Sequence, residues 1–427
     1  MKEQEQQPLA MQFEQVLGRD GFSPDLPAGF GSTGSVRGLS WGMRLLSYML
    51  SGLQVGSLDL SLPNGATRRY EGRQPGPHGE LRIKSDRIIR HVLRGGEVGF
   101  GEAYLDDCWD SPDLARLLAV LYLNEPHYRG PFEKNWLGRL HGYWQHRRRA
   151  NTKVRARENI EYHYDLGNEF YRLWLDDSMA YSAGVFARPD ATLEDAQLNK
   201  FRLMYERLEL GPQHHLLEIG SGWGGFAIYA AQRSGCRVHS ITLSKEQLAE
   251  ARERAVRAGV ADRVSFELRD YRDVSASYDR VVSIEMYEAV GEEYWPSYFA
   301  AIAKALKPGG IAALQGITIS PSIFDQYRSK RDFIQKYIFP GGMLCTPDLF
   351  QVLAGASGLS SHRPEFFARD YADTLAHWDR KVQAVREQIV GQFDQRFYRM
   401  WRYYLAYCEC GFRTGSIDLM HITLKKA

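Results

Sequence analysis

Apolar residues recur every three to four positions from Leu39 through Met43, Leu46, Met49 and Leu50 to Leu53, the spacing of one buried helical face. The period then drops to two. Leu58, Leu60 and Leu62 alternate with polar neighbours up to Asn64-Gly65, a hairpin turn pair, and a return strand is predicted over residues 67–70. Residues 80–124 read as short helices and strands around a glycine-rich turn, Gly95-Gly96-Glu97-Val98-Gly99. From residue 208 the pattern changes to strands alternating with helices. Strands are predicted at 215–219, 237–243, 264–268, 280–284 and 311–319, and helices at 225–234, 245–258 and 294–306. That order predicts an α/β fold with a parallel, doubly wound sheet covered by helices on both faces. A long helical stretch, 373–410, and a last strand, 417–424, complete the chain.

These patterns divide the 427 residues into a polar, Gly/Pro/Ser-rich leader (1–35), a small α+β domain (36–135), a linker (136–160) and the large domain (161–427). The linker gathers Arg139, Arg147, Arg148, Arg149, Lys153, Arg155 and Arg157 beside Trp136, Tyr143 and Trp144. Such a segment is either a solvated linker helix or a surface for anionic lipid head groups, with its aromatic rings at the interface. No nucleic-acid recognition motif accompanies it. With 54 basic against 52 acidic residues, the net charge of +2 does not point to nucleic acid either. There is no apolar run of the roughly 18 residues that a bilayer span needs, and the start of the chain does not resemble a signal peptide. Five cysteines without a paired zinc spacing suit a reducing cytoplasm, and no metal site is expected.

Candidate chemistry begins at LLEIGSGWGG, residues 216–225, where a strand runs into a glycine-rich turn and then a helix. Gly220, Ser221 and Gly222 allow close backbone approach to a ligand, and the helix start offers free N–H groups. The second strand ends in Thr242-Leu243-Ser244, with Gln247 one turn later, where ribose hydroxyls need partners. A dehydrogenase would more often place an acidic residue there. The third strand leads into Asp270, Tyr271 and Arg272, a polar and aromatic platform suited to adenine. The ligand read from this set is S-adenosylmethionine rather than NAD. A second stretch, HYDLGNEFYRLWLDDSMAYSAGVF (163–186), crowds aromatic rings before Tyr181-Ser182-Ala183-Gly184. It is either core packing or the wall of a site shaped for something flat and apolar.

The segments HYDLGNEFYRLWLDDSMAYS, LLEIGSGWGG, ITLSKEQ, RDYRDV, VSIEMYEAVG, YIFPGG and YYLAYCECGFRTGSIDL resemble the cyclopropane-fatty-acyl-phospholipid synthase family. IKSDRIIRHVLRGGEVGFGEAYLDDCW is similar to that family's smaller N-terminal domain. The resemblance implies a Rossmann-like class I methyltransferase sheet. It also implies methyl transfer from S-adenosylmethionine to the cis double bond of an acyl chain in a membrane phospholipid. Cofactor contacts would fall on Tyr181, Ser182, Gly220, Ser221, Gly222, Thr242, Leu243, Ser244, Gln247, Tyr271 and Arg272, with Asp270 beside them.

Attack of the alkene on the activated methyl needs no protein nucleophile, but it leaves a carbocation from which a base must take a proton. The family resemblance implies a bound bicarbonate as that base, held by a Glu, a Tyr, a backbone amide, a His and a Cys. The matching positions here are Glu288, Tyr371, Ile317, Gln315 and Ala183, so the histidine is replaced by an amide and the cysteine by a side chain without a donor. That leaves three readings open: bicarbonate held by fewer groups, water, or Glu288 itself. Glu288 also fits a helix cap and Tyr371 a core tyrosine. Cys408 matches a cysteine sometimes regarded as catalytic, though direct transfer requires no thiolate and a buried, inert residue is favoured. A homodimer, a cytoplasmic location at the inner membrane face, and methylation of a soluble amine as the alternative activity complete the expectations.

Overall fold

The structure, a computed structural model, describes residues 32–33, 40–128 and 166–427. The basic and aromatic segment at 136–160 and most of the leader lie outside the described residues. Ser32 and Thr33 of the leader form a two-residue edge strand, β1, paired antiparallel with Thr67 and Arg68.

The small domain is a five-stranded sheet in the order β1-β3-β2-β4-β5, where β2 is Val55–Ser61, β3 Thr67–Glu71, β4 Gln74–Ile83 and β5 Trp109–Asp110. Leu58, Leu60, Leu81 and Ile83 project from one face into the core, as strand alternation requires. Helices Trp41–Leu50 and Leu114–Leu123 carry buried stripes of Met43 and Leu50, and of Leu114, Leu117 and Leu118. The glycine run read as a turn is a kink within one helical stretch, Arg87–Leu105. Gly96 alone leaves helical geometry (φ 55°, ψ −128°), a conformation that a side chain would disfavour.

The large sheet has seven strands in the order β11-β12-β10-β9-β6-β7-β8. They are β6 His215–Ile219, β7 Arg237–Thr242, β8 Val264–Leu268, β9 Tyr278–Ile284, β10 Leu306–Ile319, β11 Leu359–Phe366 and β12 Ile417–Lys426. Leu216, Val238, Val282 and Ala313 face helices Leu193–Arg207, Gly225–Ser234 and Lys245–Arg257. Leu217, Val281 and Leu314 face helices Trp295–Ala305 and Pro347–Ala356. The central strands are therefore apolar on both faces, as a sheet buried between helical layers must be.

Two expectations need correction. The sheet is mixed rather than parallel: β12 runs antiparallel to both β10 and β11. The excursion after β10 returns to the edge it left, with Ser320 N–H bonded to Ser416 O, so the chain re-enters the sheet in the opposite direction. The helical stretch read as continuous is three helices, Ala368–Ala384, Arg386–Gln392 and Gln395–Arg413. Backbone geometry leaves the helical region at Phe393, and Asp394 caps a new helix by accepting from Phe397 N–H.

The last helix fastens the two sheets together. Its buried Arg399 donates to the backbone oxygens of Tyr104 and Trp109 (2.5 and 2.7 Å) and reaches Asp107 (3.1 Å) and Asp110 (3.4 Å). Its guanidinium also lies 3.8 Å from the centre of the Tyr104 ring. Among the described residues no helix is long and apolar enough to cross a membrane. Removing the guanidinium takes a donor from two buried carbonyls and leaves Asp107 and Asp110 paired with Lys84, so Arg399→Ala is expected to lower unfolding stability by about 2 kcal/mol. Urea melts read that loss; an unchanged midpoint would show that Arg399 does not hold the small domain.

Candidate active site

β6 leads directly into Gly220, whose φ of 94° and place beside Met286 suit a residue without Cβ; an added Cβ would lie 3.2 Å from Met286 Cγ. The N–H groups of Gly220 and Ser221 bond Ile241 O on β7 (both 3.0 Å), so the turn is anchored to the sheet. Gly222 (φ 47°) has open space where a Cβ would stand, and helix Gly225–Ser234 starts just beyond it. Ser221 is buried, its hydroxyl turned to Gly222 O (3.0 Å). At the end of β7, Ser244 caps helix Lys245–Arg257 by accepting from Gln247 N–H (3.3 Å). Thr242 Oγ1 accepts from Ser244 N–H and donates to Gln247 Oε1 (3.1 and 3.0 Å), with Leu243 half-buried between them. Past β8, Asp270 accepts from the Arg272 amide (2.9 Å) and holds its guanidinium at two points (2.8 and 2.6 Å). Arg272 in turn lies over the rings of Tyr271 and Tyr294. All these groups meet at the carboxyl ends of adjacent parallel strands, where open α/β sheets bind nucleotides. A glycine turn with room for close approach, buried hydroxyl and amide groups, and an aromatic platform fit S-adenosylmethionine.

Opposite lies the stretch ending in Tyr181-Ser182-Ala183-Gly184. Phe170, Tyr171 and Trp174 are fully buried, and Tyr181 lies within 5.4–5.5 Å of the rings of Tyr171, Trp174 and Trp378. The Tyr181 and Tyr404 hydroxyls are 2.8 Å apart. The loop is pinned through its backbone. Ser182 O accepts from Gln197 (2.7 Å), Gly184 N–H bonds Thr374 Oγ1 (3.1 Å), and Phe186 N–H bonds Asp370 (2.7 Å). Ser182 Oγ accepts from Lys200 (2.7 Å), a fully buried lysine whose pKa burial pushes down to about 8. Glu285, Asp176 and Glu218 oppose that fall. Glu218 is buried as well and pushed up to about 8, against its bond from the Ser240 hydroxyl and the pull of Lys200.

Between these halves stand two carboxylates. Glu285 follows β9 directly, and its backbone has a left-handed φ of 48°. Its Oε1 accepts from Ala183 N–H (2.8 Å) and from Gln315 Nε2 (2.7 Å); its Oε2 accepts from the Tyr371 hydroxyl (2.6 Å). Gln315 is fixed by a second bond, between its Oε1 and His421 Nε2 (2.7 Å). Tyr371 stacks on Phe412 at 4.2 Å. Burial raises the pKa of Glu285, while Tyr371, Ala183, Gln315 and Lys200 favour its charged form. Glu288 accepts from Ile317 N–H through Oε1 (2.6 Å), and its buried Oε2 has no hydrogen-bond partner. Burial, then the neighbouring charge of Glu285, pushes Glu288 up to about 8. Cys408 is a thiol held neutral, its pKa raised by burial first and by Asp332, Cys410 and Glu285.

The structure thus brings Gln315, Tyr371 and the amide at position 183 onto Glu285, and leaves Ile317 with Glu288. Glu285, Lys200 and Glu218 were not singled out in the sequence. The signal available for Glu285 was a second carboxylate in Glu285-Met286-Tyr287-Glu288, immediately after a predicted strand. Among the described residues no cluster could hold a metal ion.

This fold and cofactor end define an S-adenosylmethionine-dependent methyltransferase. Residues 151–422, more than half of the chain, match the family described as mycolic acid cyclopropane synthetase. The chain is 38% identical over 350 residues to a tuberculostearic acid methyltransferase of Mycobacterium tuberculosis, covering 80% of this chain and 82% of that one. It is 33% identical over 359 residues to the cyclopropane-fatty-acyl-phospholipid synthase of Escherichia coli, covering 81% and 88%. The crystal structure of a mycolic acid cyclopropane synthase complexed with SAH and CTAB superposes with a TM-score of 0.60 at 30% identity, over 63% of this chain and 98% of that one. The chain belongs to this family of cyclopropane synthases and lipid methyltransferases.

Glu288 makes a pH prediction. Folded, it keeps its proton to about pH 8; unfolded, it loses it near the ordinary value of 4.5. Unfolding between those values releases a proton, so this contribution to stability is complete below the lower value and is lost as pH rises through the upper one. Gln cannot ionise and keeps the acceptor for Ile317 N–H. Glu288→Gln should therefore gain melting temperature relative to the parent chain as pH rises from about 5 to about 9. A melting-temperature difference that does not vary with pH would count against a protonated Glu288.

Proposed function

We propose that the enzyme transfers a methyl group from S-adenosylmethionine to the double bond of an unsaturated acyl chain in a membrane phospholipid. The product is a cyclopropane or a methyl-branched or methylene chain. The observation that carries this reading is the buried ring cluster of Tyr171, Trp174, Tyr181 and Trp378 beside the glycine turn. S-adenosylmethionine, when bound, supplies an electrophilic methyl group, so the chain need provide no nucleophile. What it provides is orientation, water exclusion and ring faces that favour a positive charge. Gly220, Ser221, Gly222, Thr242, Leu243, Ser244, Gln247, Asp270, Tyr271 and Arg272 would hold the cofactor, with Tyr181 and Ser182 closing over it. Three similar proteins are named for lipid chemistry of this kind: the tuberculostearic acid methyltransferase, the phospholipid synthase and the mycolic acid synthase.

The finer points belong to the same reading. The phospholipid is met at the inner face of the membrane by a peripheral cytoplasmic enzyme, no nucleic acid takes part, and the assembly is a homodimer. Bicarbonate, the base that the family resemblance implies, would draw on Gln315, Tyr371 and position 183, which here bond Glu285.

Purified enzyme given labelled S-adenosylmethionine and vesicles of unsaturated phospholipid should produce acyl chains one CH2 heavier. NMR of the product separates cyclopropane protons from a methyl or methylene signal. Unchanged lipid from folded, cofactor-binding protein would sink the proposal, and label appearing in soluble amines instead would support a small-molecule methyltransferase.

A further inference from the structure

Among the described residues, Glu285 is an ionisable group that no role described so far requires and that several elements nonetheless hold in place. Glu285 is reached by the loop at 181–184 through Ala183, by β10 through Gln315, and by helix Ala368–Ala384 through Tyr371. A carboxylate offers about four acceptor positions. Two on Oε1 and one on Oε2 are filled by these donors, which leaves one lone-pair position on Oε2. That oxygen also bonds the hydroxyl of Tyr371, whose ring lies edge-on to Trp378 in the ring cluster (6.5 Å between centroids). On the other side, Met286, the next residue, lies against Gly220 of the cofactor turn. The carboxylate thus sits between the cofactor turn and the rings.

Its backbone carries an independent mark. A left-handed φ of 48° on a residue with a long side chain costs on the order of 1 kcal/mol or more, and such conformations persist where the surroundings impose them. Here they aim one carboxylate at three donors that, with buried Lys200, favour its charged form against the effect of burial.

We propose that the Glu285 carboxylate is the base that completes the reaction, a built-in side chain doing what a bound anion would otherwise do. This rests on the acyl-chain methylation proposed above. After the alkene has bonded to the methyl carbon, the chain carries a positive charge on the adjacent carbon. Glu285 takes a proton from a C–H beside that carbon and becomes a neutral carboxylic acid. The C–H electron pair either closes the third side of a cyclopropane, when the proton comes from the new methyl, or forms a double bond, when it comes from the chain. The neutral acid returns its proton to solvent before the next turnover. The net change in the lipid is the addition of one CH2, and no oxidant or reductant is consumed. Gln315, Tyr371 and the Ala183 amide are positioning groups: they fix which oxygen faces the substrate.

Three measurements test this. Glu285→Gln should lose at least about 100-fold in lipid product, the lower end of what a general base contributes, while SAH binding stays within about twofold. Carbon-13 NMR with labelled bicarbonate should show no bound anion in the parent chain and a bound anion in Glu285→Gly, where the three donors are free. Bicarbonate or formate added to Glu285→Gly should restore part of the lost turnover, whereas the parent chain should be indifferent to both. Parent-like turnover of Glu285→Gln, bicarbonate bound to the parent chain, or no rescue of a folded Glu285→Gly by either anion would each overturn the assignment. If the parent chain binds SAH yet makes no lipid product, the functional reading fails instead, and the anion-binding comparison still reports on Glu285.

Discussion

One carboxylate ties together parts of the chain that are far apart in sequence. The loop at 181–184, the end of β9, Gln315 within β10 and helix Ala368–Ala384 all converge on Glu285 through the Ala183 N–H, the Gln315 amide and the Tyr371 hydroxyl. Burying an anion is costly unless it is fully hydrogen-bonded, and leaving its donors unpaired is costly as well. The donors and the carboxylate therefore support one another: each bond lowers the cost of burying Glu285, and Glu285 in turn satisfies each donor. The seven-stranded sheet supplies the rigid ends on which this knot is built, and the C-terminal helices supply its lid.

The same logic explains the charges around it. Lys200 and Glu218 lie inside the large domain, where burial pushes each towards its neutral form while the other favours its charge. Lys200 reaches Ser182, at the edge of the ring cluster, and Glu218 takes the Ser240 hydroxyl beneath the cofactor turn. Titratable groups are thus concentrated beneath the site, while the walls that would meet an acyl chain are aromatic. The small domain attaches to the far side of the same helices through Arg399, which couples it mechanically to the helix that carries Tyr404 and Cys408.

Much of this was legible in the sequence, for identifiable reasons. Strand β6 falls on its expected bounds because a central strand of a helix-covered sheet is apolar and ends abruptly at Gly220; β8, at the sheet edge, does so because Val264 and Phe266 alternate with Ser265 and Glu267 before the polar turn at Arg269-Asp270. The cofactor turn was legible because Gly220 and Gly222 adopt conformations that other residues resist. Strand direction was not, since a period of two reads the same forwards and backwards; hence the antiparallel β12. The break at Phe393–Asp394 is marked in the sequence only by Gly391 and the capping residue Asp394, within a stretch otherwise compatible with one helix. Lys200 sits among polar neighbours on a helix and reads as solvent-facing, yet its stem and head are wholly buried. Glu285 and Glu288 are three residues apart, and spacing alone cannot say which of them turns towards the loop at 181–184. That is decided by one backbone dihedral.

The absence of sulfur at position 183 then acquires a different meaning. Ala183 is fully buried and contributes its N–H rather than a side chain, and that N–H is spent on Glu285. A mobile anion held by Gln315, Tyr371 and position 183 would have to share these donors with a fixed carboxylate, and two anions on the same donors repel each other. Where the resemblance implies a thiol for a mobile anion, position 183 instead gives a backbone donor to a carboxylate of the chain itself. A base tethered to the backbone cannot shift to follow the substrate, so which proton it removes, and with it the choice between ring closure and a new double bond, is set by where the acyl chain lies against the rings of Trp174, Tyr181 and Trp378.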